Sequence, residues 1–387
     1  MNPQLSKQML WALLFGNLAV GMGIMVVPST LTNISDNLGT SVPLTGQLIT
    51  AGSILMGVSA PIFAALVAKW DRRKLLAFTM AWYALFHALC AIAPSFTSLM
   101  ILRVLSVITP AIFTPQAAAC VGLLSKPEDR TKAITFIFLG WSISSVFGVP
   151  ILASIGGLGT NGEGWRWAFA LVSIVSFGSA LWVWRVLPSG IQIAALSKAA
   201  WIGVFKHRVL MMTVGVTLLS AFGQFILFSY FTAYYKQLLN ADTQTISLFF
   251  FWFGFCGLIG SFTLSHYIDR IGADRAPIIS MSLMAVSLLL WPLGTSVITV
   301  LLISIPWGLG CFSSNSAQQA RLGAAAPLVA GASIALNTSA MYGGQAFGAA
   351  LGGWLISHDM MSHLHWYGFA VMLCAIGLSS WSRQKSL

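Results

Sequence analysis

Charge is what this sequence has least of. Its 387 residues carry 20 Lys and Arg and nine acids, or 7% charged residues, where a soluble domain has about 25%. So little polar surface could not keep a chain of this size in water. Carboxylates are scarcer still, and all nine fall in loops or at the ends of apolar runs. No carboxylate pair, nucleophile cluster or metal set lies at one membrane depth, which argues against an intramembrane enzyme. Five cysteines (Cys90, Cys120, Cys256, Cys311 and Cys374) sit inside apolar runs without a CxxC, and no histidines have ligand spacing. Neither a metal nor another cofactor is expected. A Walker A loop is missing, which excludes ATP-driven pumping by this polypeptide. The first apolar run lacks a small-residue cleavage site and reads as a retained helix. The longest connector is about 20 residues, too short for the added domain of a transporter-like receptor.

Hydrophobicity is what the sequence has in excess. It is 57% apolar with 36 Gly and 15 Trp, and its mean hydropathy is +0.84. Twelve runs reach the ~20 residues needed to cross a bilayer. They lie at 9–31, 46–68, 75–93, 98–122, 133–155, 167–187, 209–233, 245–266, 276–294, 297–316, 329–356 and 365–382. They are continuous and rich in Leu, Ala, Phe and Gly, unlike the short alternating strands of a spanning barrel. The expected fold is an all-α integral membrane protein of twelve helices.

The formal charge of +11 has a topological explanation. With the N-terminus inside, 17 of the 20 Lys and Arg fall in cytoplasmic segments, leaving Arg103, Arg166 and Lys236. The positive-inside rule therefore places both termini in the cytoplasm. No nucleic-acid partner is needed. A monomer in the inner membrane of a prokaryote is expected, with the lipid bilayer and a small-molecule substrate as partners.

The chain repeats itself. Lys69-Trp70-Asp71-Arg72-Arg73-Lys74 puts five charges between the second and third runs, and Asp269-Arg270 returns between the eighth and ninth. The fifth run carries Gly140, Ser144 and Gly148, and the eleventh Gly344, Gly348 and Gly352. Pro110 and Pro306 interrupt the fourth and tenth runs. All these pairs lie 196 to 204 residues apart. The implied organisation is a six-helix bundle at 1–187, a cytoplasmic connector at 188–208 and a second bundle at 209–387. Parallel repeats of this kind are a transporter architecture. The connector, with Lys198, Lys206, Arg208 and apolar Ile191, Ile193, Leu196, Trp201 and Phe205, reads as an amphipathic helix at the membrane surface. An acid within each basic loop can cap a helix or pair with an Arg. Between moving helices it would hold one state of a two-state machine.

These motifs resemble the major facilitator superfamily, in its twelve-helix drug:proton antiporter branch that also holds sugar exporters. Ala65 to Lys74 occupies the place of the family's Gly-x-x-x-Asp-Arg-x-Gly-Arg-Arg/Lys loop. Arg73 and Lys74 match, and Asp71 stands as a shifted substitute for the loop carboxylate. Asp269-Arg270-Ile271-Gly272 is the closer match. "ILRVLSVITPAIFTPQ" is similar to the helix 4 motif through Arg103. "LGWSISSVFGVPILASIGG" is similar to the helix 5 antiporter motif through Gly140, Gly148, Pro150, Gly156 and Gly157, and "GEGWRWAF" resembles the start of helix 6 through Arg166. The resemblance implies gating by the loop that holds Asp71, Arg72, Arg73 and Lys74. It also implies a proton-coupling or cavity role for Arg103 and a bendable fifth helix.

The polar groups inside the runs narrow the solute. Asn17, Gln47, Arg103, Gln116, Gln224, Asn315, Asn337 and Gln345 are candidate cavity residues; helix–helix contact is the competing role for each amide. Arg103 either reaches the interface or faces the cavity. The first run offers Asn17 where many relatives carry an acid, which argues against lipophilic cations. The expected function is secondary transport, as an exporter, of a small neutral or weakly anionic polar solute by alternating access. A facilitative uniporter or importer is the alternative. Protons are a candidate coupling ion, with Asp36 and His87 as candidate carriers.

Overall fold

The computed structural model describes residues 5–67, 69–126, 129–159, 162–192, 198–272, 274–325 and 330–384. The spanning helices are α1 (Lys7–Leu38), α2 (Val42–Leu66), α3 (Arg72–Ala91), α4 (Phe96–Ser106 and Ile108–Leu124), α5 (Arg130–Ile143, a π turn at Ser144–Gly148, then Val149–Gly156) and α6 (Gly164–Val186). A connector helix (Lys198–Lys206) leads to α7 (Arg208–Phe228 and Phe231–Leu239) and α8 (Thr243–Ile271). Then come α9 (Ala276–Leu290), α10 (Val297–Ala325), α11 (Ala330–Ser357) and α12 (Leu364–Gln384). No strand occurs among the described residues. Eleven of the twelve are long and apolar enough to cross a membrane. The twelfth, α11, spans 28 residues, about 42 Å at 1.5 Å per residue, but is diluted by Gly, Ala, Ser and Thr.

Three helices outrun their apolar segments. The α1 helix continues through the polar Asn33–Asn37 stretch because Ile34 and Ser35 are buried there. It stops at Gly39, whose φ of 62° closes a left-handed C-cap onto the Ser35 carbonyl. The α8 helix extends to Ile271 and α10 to Ala325, past the last apolar residue that hydropathy alone would count.

Two compact units result. The first holds Met1–Thr40 and Ser59–Ala195, the second Ser41–Val58 and Leu196–Leu387. The second unit therefore includes the first stretch of α2, which the 1–187 boundary assigns elsewhere. Its small residues explain the assignment. A Cβ on Gly46 would run into the Tyr230 phenol, and one on Gly57 would lie 3.1 Å from the Ser339 carbonyl.

Backbone geometry confirms the internal repeat. Thr30 interrupts α1 at φ −116°, ψ 16°, and Tyr230 interrupts α7 at φ −115°, ψ 15°, 200 residues later. The left-handed cap at Gly39 has its counterpart at Asn240, φ 48°. Ser95 and Ser98 cap α4 reciprocally, and Ser296 and Thr299 do the same for α10.

Candidate gating and solute-binding residues

The break in α1 begins with Pro28. Proline has no N–H and crowds the carbonyl four residues back, here Ile24. Ser29 and Thr30 also turn their hydroxyls onto the Met25 and Val26 carbonyls, a pattern that bends helices. Arg103 on α4 fills the gap. Its guanidinium donates to the Gly23 carbonyl at 2.7 Å and to the Ile24 carbonyl at 3.2 Å. From α3, the Tyr83 hydroxyl donates to the Val20 carbonyl at 3.2 Å. A buried carbonyl left unpaired costs about 1–3 kcal/mol, so these donors stabilise the bent helix. Arg103 is buried with no carboxylate partner among the described residues, and it binds backbone rather than open space.

His87 lies in the same network. Its Nδ1 is 2.8 Å from the Tyr83 carbonyl and must donate to it. Its Nε2 lies 3.5 Å from an Arg103 nitrogen, and the ring stacks on Phe169.

The glycine ladders bring helices into backbone contact within each unit. A Cβ on Gly140 of α5 would strike the Leu14 carbonyl and come within 2.8 Å of the Leu18 nitrogen of α1. One on Gly348 of α11 would sit 2.7 Å from the Phe222 carbonyl of α7. Gly148 faces a softer neighbour, Met22 Cγ at 2.6 Å, and Gly156 faces the Thr30 methyl group. Gly157 ends α5 as its C-cap. Pro150 explains the π turn. Its missing N–H interrupts the α ladder, and the Val149 N–H reaches back five residues to the Ser144 carbonyl.

The two charged loops use different chemistry. Asp71 caps α3 by accepting from the Lys74 N–H at 3.0 Å, and its other oxygen accepts from the Gly190 N–H after α6. The Arg72 N–H donates to the Ile191 carbonyl at 2.9 Å. Although charged, Arg72 is 1% exposed, and its guanidinium donates to the Val67 and Trp70 carbonyls. Arg73 lies 4.6 Å over the Trp184 ring, and Lys74 is exposed. Asp71 thus ties its loop to the end of α6. The Asp269 side chain lies outside the described residues, and Arg270 is exposed over Tyr267. Among the described residues the second unit has an ion pair between Asp274 and Arg321, at 2.7 Å. Arg321 is 2% exposed and also donates to Ser379 and Ser382 of α12. Sequence reasoning treated Arg321 as an orientation signal and missed this pair. The extension of α10 past its apolar run is what carries Arg321 to Asp274.

The amides divide into two sets. Asn17 donates to the Ile137 carbonyl at 3.0 Å and accepts from Thr114 at 2.9 Å. Asn337 accepts from Thr217 at 2.5 Å. Gln224 donates to the Cys311 sulfur at 2.8 Å. These three hold helices together, α1 to α4 and α5, α7 to α11, and α7 to α10. Gln47, Gln116, Asn315 and Gln345 make no such bond within the described residues. Gln116 and Gln345 are buried, Gln47 and Asn315 half-buried. Asp36 is exposed in the last turn of α1. Arg166 donates to the Ala91 and Ala93 carbonyls at the end of α3, which makes it a helix cap.

Twelve spanning helices in a doubled backbone, with first and seventh helices broken at matched positions and glycine-packed fifth and eleventh, define a solute transporter of the two-repeat kind. A sequence model of the Major Facilitator Superfamily matches residues 13–348 and again 213–383, and the chain belongs to that family. Its members are transporters and not enzymes. It is 24% identical to the uncharacterised MFS-type transporter YbcL of Bacillus subtilis, over 92% of this chain and 91% of that protein. It is 25% identical to the "Probable sugar efflux transporter" of Pasteurella multocida, over 86% and 82%, and to the inner membrane transport protein YdhP of Escherichia coli, over 90% and 88%. Among solved structures, a D-xylose–proton symporter superposes with a TM-score of 0.77 at 16% identity, covering 96% of each chain. At that identity the likeness concerns the fold.

Proposed function

We propose that the chain exports a small neutral or weakly anionic polar solute, of the sugar or polyol class, by alternating access. The observation that carries this reading is the uncommitted amide set. Gln47, Gln116, Asn315 and Gln345 have no side-chain hydrogen bond among the described residues, while every carboxylate of the sequence lies outside the apolar runs. Amides without charge suit hydroxyl-rich solutes, which need many hydrogen bonds and no counter-ion. Arg103 enters as the brace of the α1 break and not as a ligand of the solute. The efflux named for the Pasteurella multocida relative supports the outward direction. The Lys- and Arg-rich face, with both termini, is cytoplasmic in this reading, and the protein works as a monomer.

For coupling, the same reading gives the proton to Asp36 and none to His87. The test is counterflow of radiolabelled sugars and polyols in proteoliposomes, with and without an imposed pH gradient. Saturable flux reduced by Gln116→Leu and Gln345→Leu is expected, with uphill movement lost in Asp36→Asn and retained in His87→Gln. Flux of lipophilic cations alone would overturn the solute class. Uphill flux that survives Asp36→Asn would overturn the coupling assignment.

A further inference from the structure

The connector helix has one side seated in the protein and one side bare. Val204 is fully buried among Leu210 and Val214 of α7, Leu322 of α10 and Ala332 and Ala340 of α11. Ile202 and Phe205 share another side of the helix and are 53% and 57% exposed. Beside them Lys206, His207 and Arg208 are all exposed. The Arg208 guanidinium lies 5.6 Å over the ring of Trp381 on α12, which is itself exposed.

Position settles what environment covers that side. The connector helix ends at Lys206, and the spanning segment of α7 starts at Arg208. Only His207 separates them, so the helix lies within a turn of the bilayer surface. Two bulky apolar side chains bared at that depth lower their free energy by entering the acyl boundary, and long basic side chains beside them reach the headgroups. An exposed Trp is also the residue favoured at that level.

We propose that the connector helix is an anionic-lipid binding element. Ile202 and Phe205 insert at the acyl boundary, and Lys206 and Arg208 hold a phospholipid phosphate against Trp381. The partner is the headgroup of an acidic phospholipid in the leaflet on the Lys- and Arg-rich face. Each basic side chain near such a surface gains attraction that neutral lipid does not supply.

The test is hydrogen–deuterium exchange of residues 198–210 in the full-length protein. It is compared in phosphatidylcholine nanodiscs and in nanodiscs of equal parts phosphatidylcholine and phosphatidylglycerol. Wild type should exchange about tenfold more slowly in the acidic discs. Lys206→Gln/Arg208→Gln should lose that difference, and Phe205→Ser should exchange faster in both. Exchange in the interior of α7 serves as the folding control for each variant. Equal wild-type exchange in the two lipids would overturn the proposal. So would a double variant that keeps the full lipid effect, or inorganic phosphate reproducing the protection in phosphatidylcholine alone.

Discussion

The breaks in α1 and α7 occur at matched positions with nearly the same dihedral angles, yet they are filled by opposite means. Around α1 the first unit supplies hydrogen-bond donors: Tyr83 to Val20, and Arg103 to Gly23 and Ile24. Around α7 the second unit supplies rings. Phe228 and Phe231 pack with Phe250, Trp291 and Trp307, and Trp291 meets Trp307 edge-on at 5.0 Å. The difference traces to one residue. Pro28 leaves a carbonyl in need of a donor, while the corresponding Phe228 leaves none and adds a ring. The repeat has kept backbone shape while the side-chain chemistry diverged, so residue roles do not transfer between units by offset alone.

The glycine ladders offer the strongest way to break this parallel. Gly140→Leu and Gly348→Leu press side chains into backbone, and overpacking of this kind costs about 1–3 kcal/mol or more. Both variants should lose folded yield and heat stability in detergent. Gly148→Leu, facing the Met22 and Ser144 side chains rather than backbone, should lose less. An equal loss at Gly148 would show that backbone approach is not the governing feature.

Next in size is the asymmetry of the breaks. Arg103→Met leaves the Ile24 carbonyl, which faces Pro28, without its guanidinium donor and should cost about 1–3 kcal/mol. Part of that loss is offset because a buried charge is also removed. Arg103→Lys should recover a fraction, since one ammonium cannot span both carbonyls as a fork does. A thermal-shift series reads this directly. Flux that fails in Arg103→Lys with stability intact would instead give the guanidinium a role toward the solute.

A smaller, symmetric effect sharpens the likeness. The Trp82 indole N–H donates to the Leu105 carbonyl at 2.9 Å, and that of Trp252 to the Leu301 carbonyl at 2.8 Å. Each acceptor lies five residues before the proline of its helix. Trp82→Phe and Trp252→Phe should each cost about 1 kcal/mol, in equal measure. In α10 the Ser287 hydroxyl also bridges the Ile303 carbonyl and the Trp307 N–H across Pro306, so Ser287→Ala should add to the Trp252 loss.

The smallest difference is in pH response. Ser41 caps α2 through the Leu44 N–H, and Asp242 caps α8 through the Thr245 N–H. Hydrogen bonds from the Thr245 hydroxyl and N–H hold the Asp242 carboxyl below the usual carboxylate range. A depressed carboxylate contributes stability above its unfolded value, about 3.9, and that contribution fades as pH falls through its folded value. Amide protection, relative to the intrinsic exchange rate at each pH, should therefore fall in the first turn of α8 on acidification, while that of α2 stays level. Asp242→Ser should abolish the contrast.

Much of this was legible from the chain. Run length and the shortage of charge fix spanning helices, because an apolar run of ~20 residues has no other low-energy environment. Matching offsets reveal the repeat, and small residues four apart predict close packing. Pro28, Pro110, Pro150 and Pro306 mark where a helix must yield, since a missing N–H is a local property. What fills each gap was not legible. Arg103 reads equally as a ligand, an interface anchor or a brace until α1 is seen to present two carbonyls to it. The pairing of Asp274 with Arg321, the approach of Arg103 to His87, and the bonds of the committed amides are contacts between residues from 16 to 120 positions apart. Local sequence sets which backbone groups go unpaired. Only the packing of distant helices decides which side chains arrive to pair them.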